Sequence, residues 1–293
     1  MKLAKGQLHH GVSLAPFTSW RIGGEAQALY WPTDSADLIN FLQNHKAQEA
    51  ISFLGLGSNV LVGDGGIKGL TVITQGALNQ LEMIDTHKVR VGAGVSCAKA
   101  ARFAARNHCG GGGFLAGIPG TIGGALAMNA GAFGGEIWPI VSQVQLLSRE
   151  GDLKTVSKDA FSYSYRSLKG LAEGWWFYSA DLCLVPGDPK EGLDSIKHLL
   201  AKRAQTQPTN EPSCGSVFRN PDGDFAARLI ESVGLKGHRI NQIQISPKHA
   251  NFMVNLGGAR AQDVKEMIDL AQEKVEQAHA VSLKREVIYI GED

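Results

Sequence analysis

Two glycine-rich segments of the sequence could bind a ligand through backbone N–H groups. The first is Gly55-Leu56-Gly57-Ser58-Asn59, which lies between two short apolar runs. Closely spaced glycines permit positive φ angles, so neighbouring N–H groups can point into one concavity, and Ser58 and Asn59 add side-chain donors. This combination suits a diphosphate. A tight turn between two strands is the alternative explanation of the same residues.

The second segment is longer and contains many small residues. It runs Gly117-Ile118-Pro119-Gly120-Thr121-Ile122-Gly123-Gly124-Ala125 and continues through Met128-Asn129-Ala130-Gly131-Ala132. Either a flat cofactor stacked against the backbone or close packing of backbone on backbone must fill the space that these residues leave. Neither segment has the GxGxxG spacing, because Val60 stands three residues after Gly57, and the Walker pattern GxxxxGK[ST] is absent. A Rossmann dinucleotide domain and a P-loop nucleoside triphosphatase are therefore disfavoured.

Helix and strand patterns surround these segments. The sequence predicts a helix over 34–45 that starts at Asp34 or Ser35, and another over 96–108 with alanines on its packing face. The predicted strands are two short runs within 51–62, one over 88–95, a hairpin over 141–157 turning at Glu150-Gly151, and one over 175–185. The first glycine-rich segment thus falls between two strands, and the second follows a helix.

The stretch Pro186-Gly187-Asp188-Pro189 separates this part of the chain from a second section. The second section has predicted helices over 192–205, 224–235 and 261–280, and predicted strands over 249–256 and 287–291. We expect a boundary near residues 187–200 and an α+β class with mixed sheets.

The composition limits the possible partners. A net charge of +1 over 293 residues gives no electrostatic reason to expect nucleic acid or an anionic membrane. The four cysteines form no CxxC pair, and no His, Cys or carboxylate cluster has metal-ligand spacing, so we expect reduced thiols and no metal. The N-terminal residues lack an apolar core of signal-peptide length. These features predict a cytoplasmic protein.

One uncharged stretch, from Asn107 to Gly135, is long enough to suggest a membrane helix. It is crowded with glycine, contains Pro119 and Asn129, and has few Leu, Ile, Val or Phe residues, so its transfer into a bilayer would be unfavourable. We expect buried irregular backbone there instead.

Eight segments of the chain resemble a known family. They are RIGGEA (21–26), GLGSNVLV (55–62), GIPGTIGGALAMNAGAFGGE (117–136), YSYR (163–166), CGSVFRNP (214–221), LIESVGLKG (229–237), KHANFMVN (248–255) and KREVIYIG (284–291). In this order, and over nearly the whole chain, they look like the MurB family, the UDP-N-acetylenolpyruvoylglucosamine reductases. Eight matches in one order make chance similarity implausible.

The resemblance implies an FAD-binding fold of the vanillyl-alcohol-oxidase (PCMH) type in two subdomains, plus a C-terminal α+β substrate-binding domain. We place the FAD-binding subdomains at 1–66 and 67–195 and the substrate-binding domain at 196–282. Residues 283–293 are expected to form a strand that returns to the FAD domain and carries Glu286. The chain resembles the shorter branch of the family, which lacks a tyrosine-bearing insertion over the substrate.

The resemblance also implies a reaction and its catalytic residues. NADPH reduces the bound FAD, and hydride then passes to C3 of the enolpyruvyl ether, which gives UDP-N-acetylmuramate for peptidoglycan synthesis. The family's catalytic arginine falls on Arg166 of YSYR, its proton-donating serine on Ser216 of CGSVFRNP and its glutamate on Glu286 of KREVIYIG. No obligate protein partner is evident.

These three residue types suit the chemistry, although each also has a simpler explanation. Hydride addition leaves negative charge at C2 and the carboxylate, which require hydrogen-bonding partners and an acid. Arg166 can fork onto a carboxylate, or it can be an exposed strand-end residue. Glu286 helps only if protonated, which burial beside a like charge favours; a salt bridge with Lys284 or Arg285 is the alternative. Ser216 is either the acid at C2 or a turn residue bonded to its own backbone.

The matched segments give candidate binding residues. For FAD they are Gly55, Gly57, Ser58, Asn59, Ile118, Pro119, Gly120, Thr121, Ile122, Gly123, Gly124, Asn129, Gly131 and Ala132. For the UDP-sugar they are Tyr165, Arg203, Gln207, Asn220, Lys236, His249 and Asn251, although packing within the domain is a simpler role for His249. These segments hold no evident flavin-attachment residue, so we expect non-covalent FAD.

A few positions depart from the family pattern. Trp20 stands where Phe is common, Cys214 where Ala is common and Arg219 where Lys is common. Two other functions stay open from the sequence. A different FAD oxidoreductase of the same fold should lack the segments CGSVFRNP and KREVIYIG. A non-catalytic UDP-sugar binder would have no need of the intact catalytic trio.

Overall fold

The computed structural model describes residues 3–46 and 48–293. Helices and strands occur throughout both ranges, which confirms the α+β class. The helices are α1 (Ser35–Asn44), α2 (Cys97–Arg106), α3 (Ile122–Ala127), α4 (Pro189–Thr206), α5 (Ala226–Ser232) and α6 (Ala261–His279).

Most strands are short. They are β1 (Leu8–Ser13), β2 (Glu25–Tyr30), β3 (Ile51–Leu54), β4 (Val60–Val62), β5 (Ile67–Ile73), β6 (Leu81–Asp85), β7 (Lys88–Gly92), β8 (Cys109–Gly110), β9 (Gly131–Ala132), β10 (Gly135–Glu136), β11 (Val141–Ser148), β12 (Leu153–Ser157), β13 (Ser162–Ser164), β14 (Ser167–Lys169), β15 (Trp175–Cys183), β16 (Val185–Pro186), β17 (Arg239–Ile240), β18 (Ile243–Ile245), β19 (Met253–Asn255) and β20 (Ile288–Ile290).

These strands form mixed sheets. The larger sheets have the orders β12-β11-β15-β7-β6, β1-β2-β5-β3 and β17-β18-β19, and four further pairs are β10-β9, β13-β14, β16-β8 and β20-β4. The pairs β3-β5 and β20-β4 are parallel, whereas the five-stranded sheet is antiparallel throughout. Both parallel and antiparallel pairing were expected from the sequence.

The chain divides into two compact units, each assembled from separated segments. The first unit comprises Met1–His9, Leu29–Gly55 and Gly69–Lys202. The second unit comprises His10–Ala28, Leu56–Lys68 and Arg203–Asp293. The finer division of the chain that the family resemblance implies stays a prediction.

A buried carboxylate fixes the register of the five-stranded sheet in the first unit. Asp181 on β15 lies opposite Arg90 on β7 and Gln143 on β11. Arg90 donates to the two carboxylate oxygens at 2.8 and 2.9 Å, and Gln143 Nε2 donates to one of them at 2.7 Å. Burial acts to raise the pKa of Asp181, but these donors outweigh it and hold the pKa below its usual value.

The two helices predicted early in the chain begin at capping residues. The Asp34 side chain accepts the N–H of the third residue of α1 at 2.9 Å, and the Ser96 side chain accepts the corresponding N–H of α2 at 3.3 Å. Helix α1 buries Leu38 and Leu42, and α2 buries Cys97 and four alanines. Both predicted helices are confirmed.

Turn and helix-start chemistry explains two further boundaries. The antiparallel pairing of β11 with β12 confirms the predicted hairpin, and Gly151 in its turn has a φ of +84°, which favours glycine.

Helix α4 begins at Pro189, earlier than the predicted start at residue 192. Proline is well accommodated in a first helical turn, and Asp188 Oδ1 accepts the Glu191 N–H at 2.9 Å.

The uncharged stretch 107–135 is not wholly irregular, which corrects the expectation from sequence. It contains a 3₁₀ turn over Gly113–Gly117 and the helix α3. Thr121 caps α3 by accepting the Gly124 N–H at 3.4 Å, and Leu126 on the same helix is fully buried. A capped start and an apolar face are thus sufficient for a short helix even in a glycine-rich stretch.

Helix α6 forms the centre of the hydrophobic core of the second unit. Its buried residues include Val264, Met267, Ile268, Ala271 and Val275. Trp20, from a segment near the N-terminus, belongs to the same core and donates its indole N–H to the Met253 carbonyl at 2.7 Å. Asp64 accepts the N–H groups of Ala261 and Gln262 at 2.9 and 3.1 Å, at the start of α6. The two early segments of this unit are therefore bonded to its C-terminal part.

The strand predicted over 249–256 is shorter in the structure. Only Met253–Asn255 is strand, and the residues before it form a turn in which the Asn251 N–H lies 3.3 Å from His249 Nδ1. The predicted helix over 224–235 is likewise reduced to α5, which Gly234 follows with a φ of +75°. The C-terminal strand is confirmed as β20.

The described residues hold neither a membrane-spanning helix nor a metal cluster. Within 3–46 and 48–293, no helix is long and apolar enough to cross a bilayer. In the same ranges, no group of three or more His, Cys, Asp or Glu residues could hold a metal ion.

Candidate active site

The first glycine-rich segment is a turn between β3 and β4. An ideal Cβ on Gly55 would lie 2.5 Å from Thr121 Oγ1. Gly57 has a φ of +56°, and a Cβ there would collide with neighbouring backbone. Both glycines are therefore required by close packing within the protein. Asn59, at the end of the turn, donates from Nδ2 to the Glu286 carbonyl at 3.1 Å, which bonds this segment to a predicted catalytic residue.

Four glycines of the second segment divide into two groups. A Cβ on Gly117 or Gly131 would collide with residues of the β9-β10 hairpin, and one on Gly123 would lie 2.9 Å from Ala93 Cβ. Gly124 differs, because it is exposed and its nearest contact would lie at 3.7 Å. Close packing accounts for the first group, whereas Gly124 leaves its backbone open to a ligand.

The exposed surface of this segment fits a flat cofactor. Pro119, Gly124 and Ala127 are exposed and carry no long side chain, so a planar ring could approach the backbone closely. The Ile122 and Gly123 N–H groups, by contrast, are bonded at 2.9 Å to carbonyls that follow β7. These two donors hold the segment in place and are not directed at a phosphate.

Asn129 connects this segment to the hairpin that carries Arg166. It is fully buried and has a φ of +47°. Its Nδ2 donates to Glu136 Oε2 at 2.8 Å and to the Ser164 carbonyl at 3.0 Å, and its Oδ1 accepts the Trp138 N–H at 3.3 Å. Both the nitrogen and the oxygen of the Asn129 side-chain amide are thus hydrogen-bonded within the protein.

Arg166 occupies a two-residue turn between β13 and β14. Its φ is +53°, which is uncommon outside glycine. One guanidinium nitrogen donates to the Gly131 carbonyl at 2.9 Å, and the guanidinium lies 5.2 Å from the ring centroid of exposed Tyr165. The first unit therefore brings together four of the predicted site residues: Asn129, Gly131, Tyr165 and Arg166.

Ser216 and Glu286 lie on adjoining backbone segments of the second unit. The Glu286 N–H donates to the Val217 carbonyl at 2.8 Å, and Phe218 forms an antiparallel bridge with Arg285. Ser216 and Glu286 are both half-buried. The structure thus places a hydroxyl-bearing and a carboxyl-bearing residue, which are distant in sequence, on two backbone segments that are hydrogen-bonded to each other.

Cys214 lies close to the Glu286 carboxylate. Burial raises the pKa of the Cys214 thiol well above its usual value, and Glu286 in its ionised form raises it further. The thiol is therefore a neutral neighbour of the carboxyl group and not a nucleophile. The sequence marks Cys214 only as a departure from the family pattern; its place two residues before Ser216 is the signal that relates it to the site.

Three further predicted substrate-binding residues have polar partners within the second unit. Arg203 Nε donates to Gln207 Oε1 at 2.9 Å, and burial lowers the pKa of Arg203. Asn220 Oδ1 accepts the Ala226 N–H at 3.1 Å at the start of α5. Arg203 and Gln207 are therefore brought together as a pair, as their spacing of four residues allows.

Lys236 and His249 form a second small polar group together with Glu231. Lys236 Nζ lies 2.8 Å from Glu231 Oε1. Burial lowers the pKa of His249, and the charge of Lys236 acts in the same direction. His249 also packs edge-on against Phe252, with ring centroids 4.8 Å apart. The packing role that the sequence left open for His249 is thus present in the structure.

Arg219 is a candidate that the sequence did not select. Its Nε is buried and lacks a hydrogen-bond partner among residues 3–46 and 48–293. Buried donors usually have a partner, so an unpaired one points to a missing acceptor such as a ligand oxygen. The Arg219 N–H donates to the Lys284 carbonyl at 2.9 Å, on the segment that leads to Glu286. The only feature of the sequence that points to Arg219 is that it stands where the family commonly has lysine.

Two family profiles match this chain. Residues 26–157 match an FAD binding domain, and residues 207–290 match the C-terminal domain of UDP-N-acetylenolpyruvoylglucosamine reductase. The first range contains both glycine-rich segments, and the second contains Ser216 and Glu286. The fold and the site therefore define an FAD-dependent oxidoreductase with a dedicated C-terminal domain.

Individual relatives agree with this class. The UDP-N-acetylenolpyruvoylglucosamine reductase of Legionella pneumophila is 50% identical over 290 residues, which cover 99% of this chain and 94% of the relative. The enzyme of that name from Methylococcus capsulatus is also 50% identical, over 95% of this chain and 91% of the relative. The crystal structure of the reductase MurB from Thermus caldophilus superposes with a TM-score of 0.81 at 30% identity, over 97% of this chain and 98% of that chain. The chain belongs to the UDP-N-acetylenolpyruvoylglucosamine reductase (MurB) family.

Proposed function

We propose that this chain reduces UDP-N-acetylenolpyruvoylglucosamine to UDP-N-acetylmuramate with NADPH, a step of peptidoglycan synthesis. The observation that carries the proposal is the pairing of the Ser216 and Glu286 segments at Val217 in a chain of this family. A hydroxyl and a carboxyl held near each other can supply the proton and the hydrogen bond that the enolpyruvyl group requires. The reaction takes place in the cytoplasm and needs no obligate protein partner.

Non-covalent FAD, when bound, would supply the hydride carrier between NADPH and C3 of the enolpyruvyl group. The family resemblance assigns both glycine-rich segments to its binding. Gly124 and its exposed neighbours offer backbone to a flat ring, and Ser58 offers a hydroxyl donor for the diphosphate. Gly117, Gly123 and Gly131 keep the second segment in shape through close packing.

Ser216 supplies the proton in this proposal. Hydride addition at C3 leaves an electron pair on C2 that is conjugated with the carboxylate. The Ser216 hydroxyl gives its proton to C2, and solvent returns a proton to the serine oxygen, which completes the reduction. Glu286, in its neutral form, donates a hydrogen bond to the substrate carboxylate as charge develops there. The neutral Cys214 thiol beside it adds no competing charge.

Arg166 is assigned to the substrate carboxylate. Its guanidinium can present two N–H groups to one carboxylate, which lysine cannot do. The bond from Arg166 to the Gly131 carbonyl and the contact with Tyr165 restrict the directions that the side chain can take. Its part in the same reaction as Ser216 follows from the family resemblance.

The family resemblance assigns several polar residues to the UDP-sugar. They are Tyr165, Arg203, Gln207, Asn220, Lys236 and His249, to which we add Arg219 because its buried Nε lacks a partner in the described ranges. The positive charges of Arg203, Lys236 and Arg219 suit a diphosphate. A chain of near-neutral net charge has to bind an anionic ligand through individual positive side chains of this kind.

Isotope labelling tests the proposed reaction. The FAD-loaded protein is given NADPH deuterated at the transferred position together with UDP-N-acetylenolpyruvoylglucosamine, and the product is analysed by NMR and mass spectrometry. We expect UDP-N-acetylmuramate with deuterium at C3 and a solvent-derived hydrogen at C2. Deuterium at C2 would contradict the assignment of C3 as the atom that receives the hydride. Tight binding of the substrate without any product would instead indicate a non-catalytic UDP-sugar binder.

Acid precipitation tests the mode of FAD binding. Denaturation should release the yellow colour into the supernatant, because the matched segments hold no evident attachment residue. Flavin that stays with the pellet would contradict a non-covalent cofactor. A protein that takes up no FAD at all would refute the enzyme assignment.

A further inference from the structure

We propose that Asn251 positions Ser216 for proton donation by pairing its side-chain amide with the backbone of Phe218. The inference rests on the proposed function, in which Ser216 is the acid. Asn251 is buried, with 4% of its surface exposed. Its Oδ1 accepts the Phe218 N–H at 2.9 Å, and its Nδ2 donates to the Phe218 carbonyl at 2.8 Å. The side chain therefore occupies both backbone hydrogen-bonding groups of one residue, as a neighbouring strand would do.

The backbone of the same residues extends this pairing toward both catalytic groups. The Val217 N–H donates to the Asn251 carbonyl at 2.9 Å, while the Val217 carbonyl accepts the Glu286 N–H at 2.8 Å. Ser216 follows Gly215, which has a φ of +83°, and a Cβ on Gly215 would meet open space within 4 Å. Between the buried Cys214 and Ser216, Gly215 therefore has no side chain that could hold the turn. Asn251 restrains Ser216 from the C-terminal side, where the chain is bonded to the Glu286 segment.

This role differs from the substrate contact that the sequence suggests for Asn251. A carboxamide has one acceptor oxygen and a nitrogen with two N–H groups, and here the oxygen and one N–H are bonded to Phe218. The loss of these bonds would leave the Phe218 N–H and carbonyl buried and unpaired, and the turn would move to satisfy them. A displacement of about 1 Å in a reacting group can slow a reaction by about 100-fold.

Asn255 provides a matched control. It is the same residue type in the same unit, and 5% of its surface is exposed. Its Nδ2 donates to the Trp20 carbonyl at 2.8 Å, and its Oδ1 accepts the Gly257 and Ala259 N–H groups at 2.8 and 3.1 Å. Its side chain is therefore as buried and as fully bonded as that of Asn251, but its partners lie outside the Ser216 turn.

The variants Asn251→Leu and Asn255→Leu separate a positioning role from a general structural one. Amide hydrogen exchange in the protein without substrate should accelerate at Phe218 in Asn251→Leu, and Phe218 should stay protected in Asn255→Leu. In single-turnover kinetics, both variants should be reduced by NADPH at the wild-type rate. Only Asn251→Leu should be reoxidised slowly by the enolpyruvyl substrate, by about 10- to 100-fold, with an unchanged substrate Kd.

A double-mutant cycle links this effect to Ser216. In a Ser216→Ala background, Asn251→Leu should cause little further slowing of reoxidation, because the group that Asn251 positions is already absent. If Ser216→Ala alone reoxidises at the wild-type rate, the proposed acid is wrong. If Ser216→Ala is slow while Asn251→Leu is normal, the proposed function stands and the positioning role of Asn251 fails.

The variant Asn251→Asp adds a pH test. In its neutral form the introduced carboxyl can accept from the Phe218 N–H and donate to the Phe218 carbonyl, as the amide does; the ionised form has no donor. Burial favours the neutral form. The reoxidation rate relative to wild type should therefore recover as the pH falls, whereas the corresponding ratio for Asn251→Leu should stay flat.

Three further results would overturn the proposal. One is a raised substrate Kd in Asn251→Leu with a normal rate at saturation, since that would identify a substrate contact. Another is equal slowing of both half-reactions in Asn251→Leu and Asn255→Leu, since that would identify general damage to the fold. The third is a relative rate for Asn251→Asp that stays as low as that of Asn251→Leu at every pH.

Discussion

Ser216 follows a glycine with a φ of +83° in a turn held at Val217 and Phe218, and it is half-buried. Reduction of FAD by NADPH needs no acid at the substrate, whereas reoxidation by the enolpyruvyl group does. We expect Ser216→Ala to be reduced at the wild-type rate and reoxidised about 10²- to 10⁴-fold more slowly, a barrier increase of roughly 3–5 kcal/mol. Ser216→Cys should keep part of the rate, because a thiol can still deliver a proton.

Stopped-flow absorbance of the flavin measures the two half-reactions of these variants separately. Damage to the fold would slow both of them together. A Ser216→Ala variant that reoxidises as fast as wild type would show that Ser216 is only a turn residue.

Glu286 gives a second prediction at the scale of single residues. If its carboxyl acts in the neutral form as a hydrogen-bond donor, Glu286→Gln should keep much of the turnover, because an amide can donate in its place. Glu286→Asp should lose most of it, because the shorter side chain cannot reach the same position. Steady-state kcat for the two variants, with FAD content as a control, makes the comparison. A dead Glu286→Gln beside an active Glu286→Asp would show that ionisation is required.

The sequence could identify these catalytic candidates but not all of the residues that position them or lie beside them. Ser216 and Glu286 stand in segments that resemble a known family, so their types and places could be read directly. The role of Asn251 could not, because its partner Phe218 is distant in sequence and no periodic pattern records a side-chain bond to backbone. Arg219 was missed for a similar reason, since burial of one guanidinium nitrogen depends on tertiary packing.

Two adjacent glycines in α3 test what the second glycine-rich segment does. Gly123→Ala would place a Cβ 2.9 Å from Ala93 Cβ, so we expect a loss of about 1–3 kcal/mol in the free energy of unfolding of the apoprotein. Gly124→Ala meets only an ordinary contact at 3.7 Å. Its free energy of unfolding should equal that of the wild-type apoprotein or exceed it by about 0.4–1 kcal/mol.

The same pair also tests FAD binding. If the cofactor approaches the backbone at Gly124, Gly124→Ala should raise the Kd for FAD although the apoprotein is stable. Urea unfolding of the apoprotein and flavin fluorescence titration give the two quantities. Unchanged FAD affinity in Gly124→Ala would remove Gly124 from the cofactor site.

The start of α6 gives a prediction about stability. Asp64 accepts two N–H groups there and lies 3.6 Å from Arg260. Removal of a cap of this kind costs about 0.5–2 kcal/mol, so Asp64→Ala should unfold at a lower urea concentration. Asp64→Asn keeps one acceptor oxygen and should retain most of the stability. Identical urea midpoints for Asp64→Ala and wild type would contradict the capping role.

Elements with a long periodic pattern were predicted better than short ones. Helices α1 and α2 have the capping residues Asp34 and Ser96 and apolar faces, and sequence rules describe both features. The two-stranded hairpin β13-β14 carries Arg166 but has only three residues in each strand, too few for a pattern. The strand expected from residue 249 was shortened because the turn at Asn251 bonds to another segment.

At the scale of the whole molecule, the sequence could predict the α+β class. It could not predict which separated segments of the chain combine within each unit. The second unit combines His10–Ala28 and Leu56–Lys68 with the C-terminal part of the chain. Hydrophobic periodicity identifies the buried face of an element but not the element that covers it. The Trp20 indole and the Asp64 carboxylate make such long-range bonds, and neither bond leaves a signal in local sequence.

An anaerobic two-step titration of the FAD-loaded protein tests the central claim most directly. NADPH should first bleach the visible flavin absorbance. Addition of UDP-N-acetylenolpyruvoylglucosamine should then restore the absorbance, with one molecule of UDP-N-acetylmuramate formed for each flavin reoxidised. Reduced flavin that stays bleached in the presence of this substrate, or that is reoxidised without formation of UDP-N-acetylmuramate, would contradict the account.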